Sequence, residues 1–272
     1  MNQLNIPVLI EPGQLQTYLD QDNVLVVDVS SIDNYTQHHI PGAYYVEYDD
    51  LLLEENPGPG RIATEAKLSD VLSVIGFTNE NKHVIAYDDS GGGRASRLLW
   101  TLDVLGHTNG SLLNGGWAAW QNAGNASESG ANNATYSNYT AKYCTDALAD
   151  KKYVLSRLGA KDLGLLDART PEEFQGTDVR AARGGRIPGA ANLNWLDAMD
   201  LAHHRRFKPD DELRAMLTTH GLTPDKEIIC YCQTHHRSSH SYIMLKHLGY
   251  PRIAGYAGAW SEWGNDPDTP IE

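Results

Sequence analysis

The sequence predicts an α/β protein with two tandem domains, each a parallel sheet flanked by helices. The chain has 272 residues, which suits two cores of roughly 100 to 150 residues each. An ordered series of residues recurs in its two halves, which indicates an internal repeat. Short apolar runs alternate with helical patterns, as is typical of strands in a parallel sheet covered on both faces.

The internal repeat divides the chain. Its matching positions are Asp28 with Asp167, 40–43 with 187–190 (both Ile-Pro-Gly-Ala), Tyr87 with Tyr231, and Trp117 with Trp260. Between the halves, residues 121–143 are rich in Asn, Ser, Ala, Gly and Thr, which is typical of a surface linker. We therefore expect an N-terminal domain at 1–122, a linker at 123–143 and a C-terminal domain at 144–272.

The central strands are predicted in chain order from four apolar runs. These runs are 24–28, 83–88, 163–167 and 227–232. Residues 238–248 follow the last run with a helical pattern, and Gly249 provides a stop signal. We expect a strand that leads through a short polar loop into a helix at this point.

Charge and composition limit the partners. The net charge of −13 opposes binding to nucleic acid or to anionic lipid. No apolar run approaches the roughly 20 residues of a membrane helix. Residues 1–5 lack the basic start and apolar core of a secretory signal, which predicts a cytoplasmic protein. We also expect a monomer, with no nucleic-acid or membrane partner.

Cys232 is the candidate nucleophile. The chain has three cysteines, an odd number without disulfide-framework spacing, so the thiols should be reduced. Cys232 ends a predicted strand just before a helix, where backbone N–H groups favour a thiolate. The alternative is an inert buried cysteine, but the polar loop after Cys232 favours reactivity. Cys230 lies inside the apolar run of the same predicted strand, where simple packing is expected.

The loop after Cys232 is rich in hydrogen-bond donors. It consists of Gln233, Thr234, His235, His236, Arg237 and Ser238. We expect its amides and Arg237 to hold the thiolate, and the two histidines to shape a positive mouth. Arg186 is a further candidate anion binder. Arg169 is either another anion binder or the structural partner of a carboxylate.

A zinc site is an alternative for the same residues. Cys230, Cys232, His235, His236 and His240 lie close in sequence, and the last two have helical i, i+4 spacing. The chain has no second cysteine pair that could complete such a site. We therefore expect no metal at this position.

These features together resemble the tandem-domain rhodaneses over nearly the whole chain. The resemblance rests on the strand-end Asp28 and Asp167, the two Ile-Pro-Gly turns, and the six-residue loop from Cys232 to Arg237. The loop itself is similar to that of a smaller bacterial subgroup with Cys-Gln-Thr-His-His-Arg-Ser. The resemblance implies two rhodanese-like domains, the second of which is catalytic. The first would be catalytically silent, since Asp88 stands where the second has its cysteine.

The resemblance also implies the chemistry. Cys232 would take sulfur from a small anionic donor as a persulfide and pass it to a thiophilic acceptor, such as cyanide or a protein thiol, without a cofactor. The donor-rich loop favours thiosulfate, and 3-mercaptopyruvate is the alternative donor. A non-catalytic sulfur-binding or regulatory module is another alternative. Phosphatases of related fold have a loop one residue longer, so the shorter loop favours a sulfur atom over a phosphate.

Overall fold

The computed structural model describes residues 5–53, 60–78, 82–144 and 146–272. Residues 1–4, on which part of the localisation prediction rests, lie outside this set. The chain forms two compact units. Unit 1 contains residues up to 52 together with 63–144 and 200–206, and unit 2 contains 53–62, 145–199 and 207–272. The domain boundaries predicted from the sequence remain a prediction.

Unit 1 contains a five-stranded parallel sheet and its helices. The strands are β1 (Leu9–Ile10), β2 (Val24–Asp28), β3 (Tyr44–Tyr45), β4 (His83–Tyr87) and β5 (Gly110–Leu113). The helices are α1 (Pro12–Leu15), α2 (Ile32–Gln37), α3 (Glu65–Val74), α4 (Gly93–Val104) and α5 (Gly116–Asn122). The strand order is β1-β5-β4-β2-β3, which places the buried strand β4 at the centre.

Unit 2 repeats this architecture. Its strands are β6 (Leu148–Ala149), β7 (Leu163–Asp167), β8 (Ala190–Asn192), β11 (Glu227–Tyr231) and β12 (Ile253–Tyr256). Its helices are α6 (Lys151–Arg157), α7 (Pro171–Gln175), α8 (Asp210–Thr219), α9 (Arg237–His247) and α10 (Ala259–Trp263). Two short strands, β9 (Met199–Asp200) and β10 (Arg206–Phe207), lie between β8 and α8. The order β6-β12-β11-β7-β8 puts β11 at the centre.

The two sheets share one register. In unit 1 Asp28 pairs with Tyr87 in parallel, and in unit 2 Asp167 pairs with Tyr231 in the same way. This confirms the predicted α/β fold with parallel sheets flanked by helices. The predicted strands 83–88 and 227–232 each end one residue earlier than expected, at Tyr87 and Tyr231. Cys232 is therefore the first residue of the loop.

The linker-like segment packs against unit 1. Residues 129–144 contain no helix or strand, yet Tyr139 is buried. Its backbone N–H donates to Ser73 Oγ at 2.8 Å, and its ring meets Phe77 edge-on with 4.8 Å between centroids. Aromatic burial thus holds this polar segment in place.

None of the helices in the described part of the chain is long and apolar enough to cross a membrane.

Candidate functional site: the Cys232 loop

Cys232 lies at the carboxyl end of the central strand β11. Its carbonyl oxygen accepts a hydrogen bond from the Trp260 backbone N–H at 3.0 Å, which ties the strand end to α10. The residue is only 1% exposed although it stands at the end of a strand. The reason is that the following loop curls back over the sulfur before α9 begins at Arg237.

The surroundings of Cys232 favour its thiolate. Burial alone would raise the pKa of the thiol. The charge of Arg237, the hydroxyl of Ser238 and the backbone N–H groups of Ser238 and Thr234 act against burial and hold the pKa below its ordinary value. Such donors aimed at sulfur produce a nucleophile near neutral pH.

Cys230 has the opposite environment. It is completely buried, and burial raises the pKa of its thiol, with the nearby Cys232 adding to the effect. A neutral, enclosed thiol is a poor nucleophile. The thiol pKa values of these two cysteines, which stand two positions apart, are therefore shifted in opposite directions.

Arg237 is held by Glu173. Its Nη1 donates to Glu173 Oε2 at 2.6 Å and its Nη2 donates to Oε1 at 2.8 Å. The Glu173 side chain is fully buried and that of Arg237 is 15% exposed. Burial opposes ionisation of the carboxyl, but the arginine lowers the pKa of Glu173 to about 2. Both partners are therefore charged at neutral pH.

His235 lies inside the loop. The residue is buried, its backbone is left-handed with φ 56°, and its Nδ1 lies 2.7 Å from Ser238 Oγ. The structure thus corrects the expectation that His235 shapes the mouth, because the left-handed turn directs it inward. His236 is half-buried and meets the Trp195 ring with 5.7 Å between centroids.

The start of the loop is anchored by backbone contacts. Gln233 Nε2 donates to the Arg180 carbonyl at 3.0 Å, and its own carbonyl accepts from Ser261 N at 3.0 Å. Thr234 is half-buried and lies against Gly60. A Cβ on Gly60 would stand 2.7 Å from the Thr234 carbonyl oxygen, and the glycine has φ 129°. Only glycine fits this approach.

Arg186 and Arg169 both have carboxylate partners. Arg186 Nη2 donates to Glu272 Oε1 at 2.8 Å, and its guanidinium lies 4.6 Å from the centre of the Phe174 ring. Arg169 is buried and forms an ion pair with Asp167 at 2.6 Å, which matches the structural alternative for that residue.

Unit 1 has a carboxylate in the equivalent loop. Asp88 is buried and follows β4 as Cys232 follows β11. Its Oδ1 accepts from the N–H groups of Ser90 and Gly92, both at 2.8 Å, and its Oδ2 accepts from Ala95 N at 2.9 Å. The cradle of N–H donors is thus present in both units. In unit 1 it holds a carboxylate, which accepts no sulfur.

Sequence reasoning missed Glu173 and Gly60. Glu173 is recognisable locally as part of a capping box with Thr170, but its partner Arg237 lies 64 positions away. Gly60 gives no signal beyond being a glycine in a Pro- and Gly-rich segment. Both contacts depend on tertiary structure.

The zinc alternative involves the same cluster of cysteine and histidine side chains. Across the described ranges, no group of three or more His, Cys, Asp or Glu side chains is placed so that it could hold a metal ion.

The family follows from this fold and site together with sequence comparison. The family model described as a rhodanese-like domain matches twice, at residues 11–123 and 150–266. The chain belongs to the rhodanese-like family, with two copies of the domain in tandem.

The similar curated proteins span the full chain. A thiosulfate sulfurtransferase from Pseudomonas aeruginosa is 42% identical over 98% of this chain and 98% of its own length. A thiosulfate sulfurtransferase from Azotobacter vinelandii is 41% identical with the same coverage. The sulfur carrier protein TtuD from Thermus thermophilus is 31% identical, covering 97% of this chain and 96% of its own.

Solved structures share the fold. The 3-mercaptopyruvate sulfotransferase SseA from Escherichia coli superposes with a TM-score of 0.80 at 25% identity, over 94% of this chain and 99% of its own. An anaerobic ergothioneine biosynthesis enzyme from Chlorobium limicola has a TM-score of 0.86 at 24% identity, over 97% and 70%. At that identity the second likeness shows the fold alone.

Proposed function

We propose that this protein is a thiosulfate sulfurtransferase that carries the transferred sulfur on Cys232 as a persulfide. The protein is a sulfurtransferase of the rhodanese family, as its full-length relatives are named. The observation that supports the role of Cys232 most is its surroundings, in which Arg237, Ser238 and loop N–H groups lower the pKa of a buried thiol. Cys230 and Cys144 lie outside the loop.

The reaction is a double displacement. The Cys232 thiolate attacks the outer sulfur of thiosulfate and forms a new S–S bond. The old S–S bond breaks and sulfite leaves with its electron pair. Cyanide then attacks the outer sulfur of the persulfide, thiocyanate leaves, and the Cys232 thiolate is restored. The loop N–H groups and Arg237 stabilise the sulfur anion in both states. No cofactor takes part.

Thiosulfate is favoured as the donor over 3-mercaptopyruvate. Arg237 already binds Glu173 through both terminal nitrogens, and Arg186 binds Glu272. Arg237 therefore offers no free bidentate fork to the planar carboxylate of mercaptopyruvate. A compact donor that is attacked at an outer sulfur needs no such fork. A tenfold higher kcat/KM for mercaptopyruvate, about 1.4 kcal/mol, would contradict this preference.

We also expect the protein to be cytoplasmic and monomeric, and to pass its sulfur to a protein thiol in the cell. Support for a reducing compartment is that the three cysteines are unpaired. Sedimentation or size-exclusion measurements that gave a dimer would contradict the monomer.

The test is thiocyanate formation from thiosulfate and cyanide. Cys232→Ser should abolish turnover, because no other thiol lies in the donor-rich loop. Cys230→Ala is the matched control, since it removes a thiol two positions away, inside strand β11, and it should retain turnover. Turnover that survives Cys232→Ser would contradict the assignment.

A further inference from the structure

A buried carboxylate stands behind the arginine that faces the nucleophile. Glu173 is the third residue of α7, and its fully buried side chain receives both terminal nitrogens of Arg237 at 2.6 and 2.8 Å. The same carboxylate accepts from Thr170 N at 3.2 Å in the capping box. The Glu173 carboxylate is thus held both by the N-cap residue of α7 and by Arg237.

The ion pair with Glu173 restricts the Arg237 side chain to one conformation. An arginine side chain has several rotatable bonds and loses rotamer entropy when one orientation is imposed. The bidentate pair fixes the plane of the guanidinium as well as its position. Arg237 is also the largest contribution that lowers the pKa of Cys232 against burial. The orientation of the Arg237 guanidinium should therefore affect the reactivity of the Cys232 sulfur.

Unit 1 provides an internal comparison. Asn34 is the third residue of α2, whose N-cap Ser31 matches the N-cap Thr170 of α7. The unit that has Asp88 in place of the cysteine therefore also lacks the carboxylate. In both units the N-cap side chain accepts from the third residue's N–H, but only α7 has the reciprocal bond from the N-cap N–H to the third side chain.

We propose that Glu173 is a positioning residue, which acts through Arg237 by holding the guanidinium against the Cys232 sulfur in the thiolate and persulfide states. The inference rests on the proposed function for the persulfide state. The positioning role in the thiolate state is independent of the proposed function. Glu173 touches neither the sulfur nor the donor.

Two roles of Glu173 have opposite signs. A carboxylate acting only through its charge disfavours a nearby thiolate, so its removal would lower the pKa of Cys232. A carboxylate that positions Arg237 favours the thiolate, so its removal would raise that pKa. Arg180 also faces Glu173, with Nε 3.7 Å from Oε1, but it is half exposed and paired with Asp178.

The test measures the pH dependence of Cys232 alkylation in full-length Glu173→Ala, Glu173→Gln and wild-type protein. We expect the midpoint to rise in Glu173→Ala, with roughly tenfold slower reaction at pH values below it if the shift is about one pKa unit. Glu173→Gln keeps one acceptor for Arg237 and should shift less. Thr170→Ala is the matched control, because it breaks the same capping box while leaving the ion pair intact, and its midpoint should not move.

A double-mutant cycle with Arg237→Ala isolates the mechanism. If Glu173 acts through Arg237, adding Glu173→Ala to Arg237→Ala should cause no further rise. A rise of equal size in that background, or an unchanged or lowered midpoint in folded Glu173→Ala, overturns the proposal. If Glu173→Ala does not fold, the same criteria apply to Glu173→Gln.

The outcome is separate from that of the proposed function. Alkylation needs no sulfur donor, so the positioning role is tested even if wild-type protein never accepts sulfur from thiosulfate. If wild-type protein turns over thiosulfate, Glu173→Ala should lower kcat more than it raises KM, since Glu173 does not contact the donor. An effect confined to KM would contradict positioning.

Discussion

At the residue scale, the two neighbouring cysteines have opposite surroundings. Cys230 and Cys232 differ by two positions, yet burial raises the pKa of the first while Arg237, Ser238 and two N–H groups lower that of the second against burial. The groups around each sulfur, rather than its exposure to solvent, therefore set the direction of the thiol pKa shift, since Cys232 itself is 1% exposed.

Alkylation by iodoacetamide should therefore be fast below the ordinary cysteine pKa of about 8.5. A lowered pKa leaves thiolate present as the pH falls, so the rate at Cys232 should stay high until the pH drops below the shifted value. Peptide mapping after brief labelling measures the rate at each cysteine. Cys144→Ser is the control and should leave the rate at Cys232 unchanged. A rate at Cys232 that rises only near pH ~8.5 would contradict the account.

The buried pair of Arg169 and Asp167 should matter for stability. Arg169→Ala leaves a buried carboxylate without its partner, which should cost about 3 to 5 kcal/mol in the free energy of unfolding. Arg186→Ala breaks a partly exposed pair with Glu272 and should cost about 1 kcal/mol or less. Thermal unfolding of both variants provides the comparison. Equal losses of stability would show that burial is not the cause.

Sequence reasoning reached Cys232 but missed Glu173 for a physical reason. A strand end, a polar loop and a helix start are neighbours along the chain, so their meeting is visible in the sequence. Arg237 and Glu173 meet only because β7 and β11 are adjacent in the sheet. His235 was misplaced because its left-handed φ has no local signal such as glycine.

At the scale of elements, α9 and the loop before it surround the Cys232 thiol with hydrogen-bond donors. Ser238 and Ser239 are adjacent in the first turn of α9, but their hydroxyls differ in direction. The Ser238 hydroxyl contributes to the lowered pKa of Cys232, whereas the Ser239 hydroxyl donates to the His235 carbonyl at 2.5 Å. Strand ends and helix starts of this kind were predicted within one residue, because apolar runs define them.

Ser238→Ala should lower kcat/KM for sulfur transfer by about tenfold to a hundredfold. The reason is that a hydrogen bond to a charged group contributes about 1.5 to 3 kcal/mol. Ser239→Ala, the adjacent control, should change kcat/KM far less because its hydroxyl does not face the sulfur. Steady-state kinetics with thiosulfate and cyanide compares them. A greater loss in Ser239→Ala would show that the loop acts through its shape instead.

The whole molecule repeats one fold with two different loops. The shared register of the two sheets follows from a repeat that was visible in the sequence. The packing of residues 60–62 in unit 2 and 200–206 in unit 1 was not visible, because neither segment carries an apolar periodicity that indicates its neighbours.

Removing the unit 1 carboxylate should affect stability but not chemistry. Asp88→Ala leaves three N–H groups without their acceptor, which should lower the free energy of unfolding by about 1 to 3 kcal/mol. The folded variant should keep its kcat/KM for thiosulfate within about twofold, a change of under about 0.5 kcal/mol. Cys232→Ser in the same assay marks the level of an inactive protein. A loss of turnover in folded Asp88→Ala would mean that unit 1 takes part in catalysis.

The most direct test of the central claim is intact-protein and peptide mass spectrometry after incubation with thiosulfate and removal of excess donor. The account predicts a gain of one sulfur atom, located on the peptide that contains Cys232, and its loss on addition of cyanide. Cys144 and Cys230 should be unmodified. Because Cys230 and Cys232 fall on the same peptide, fragmentation between them is needed to locate the extra sulfur. Sulfur found on Cys230 or Cys144, or no sulfur on a protein that still turns over, would contradict the persulfide mechanism.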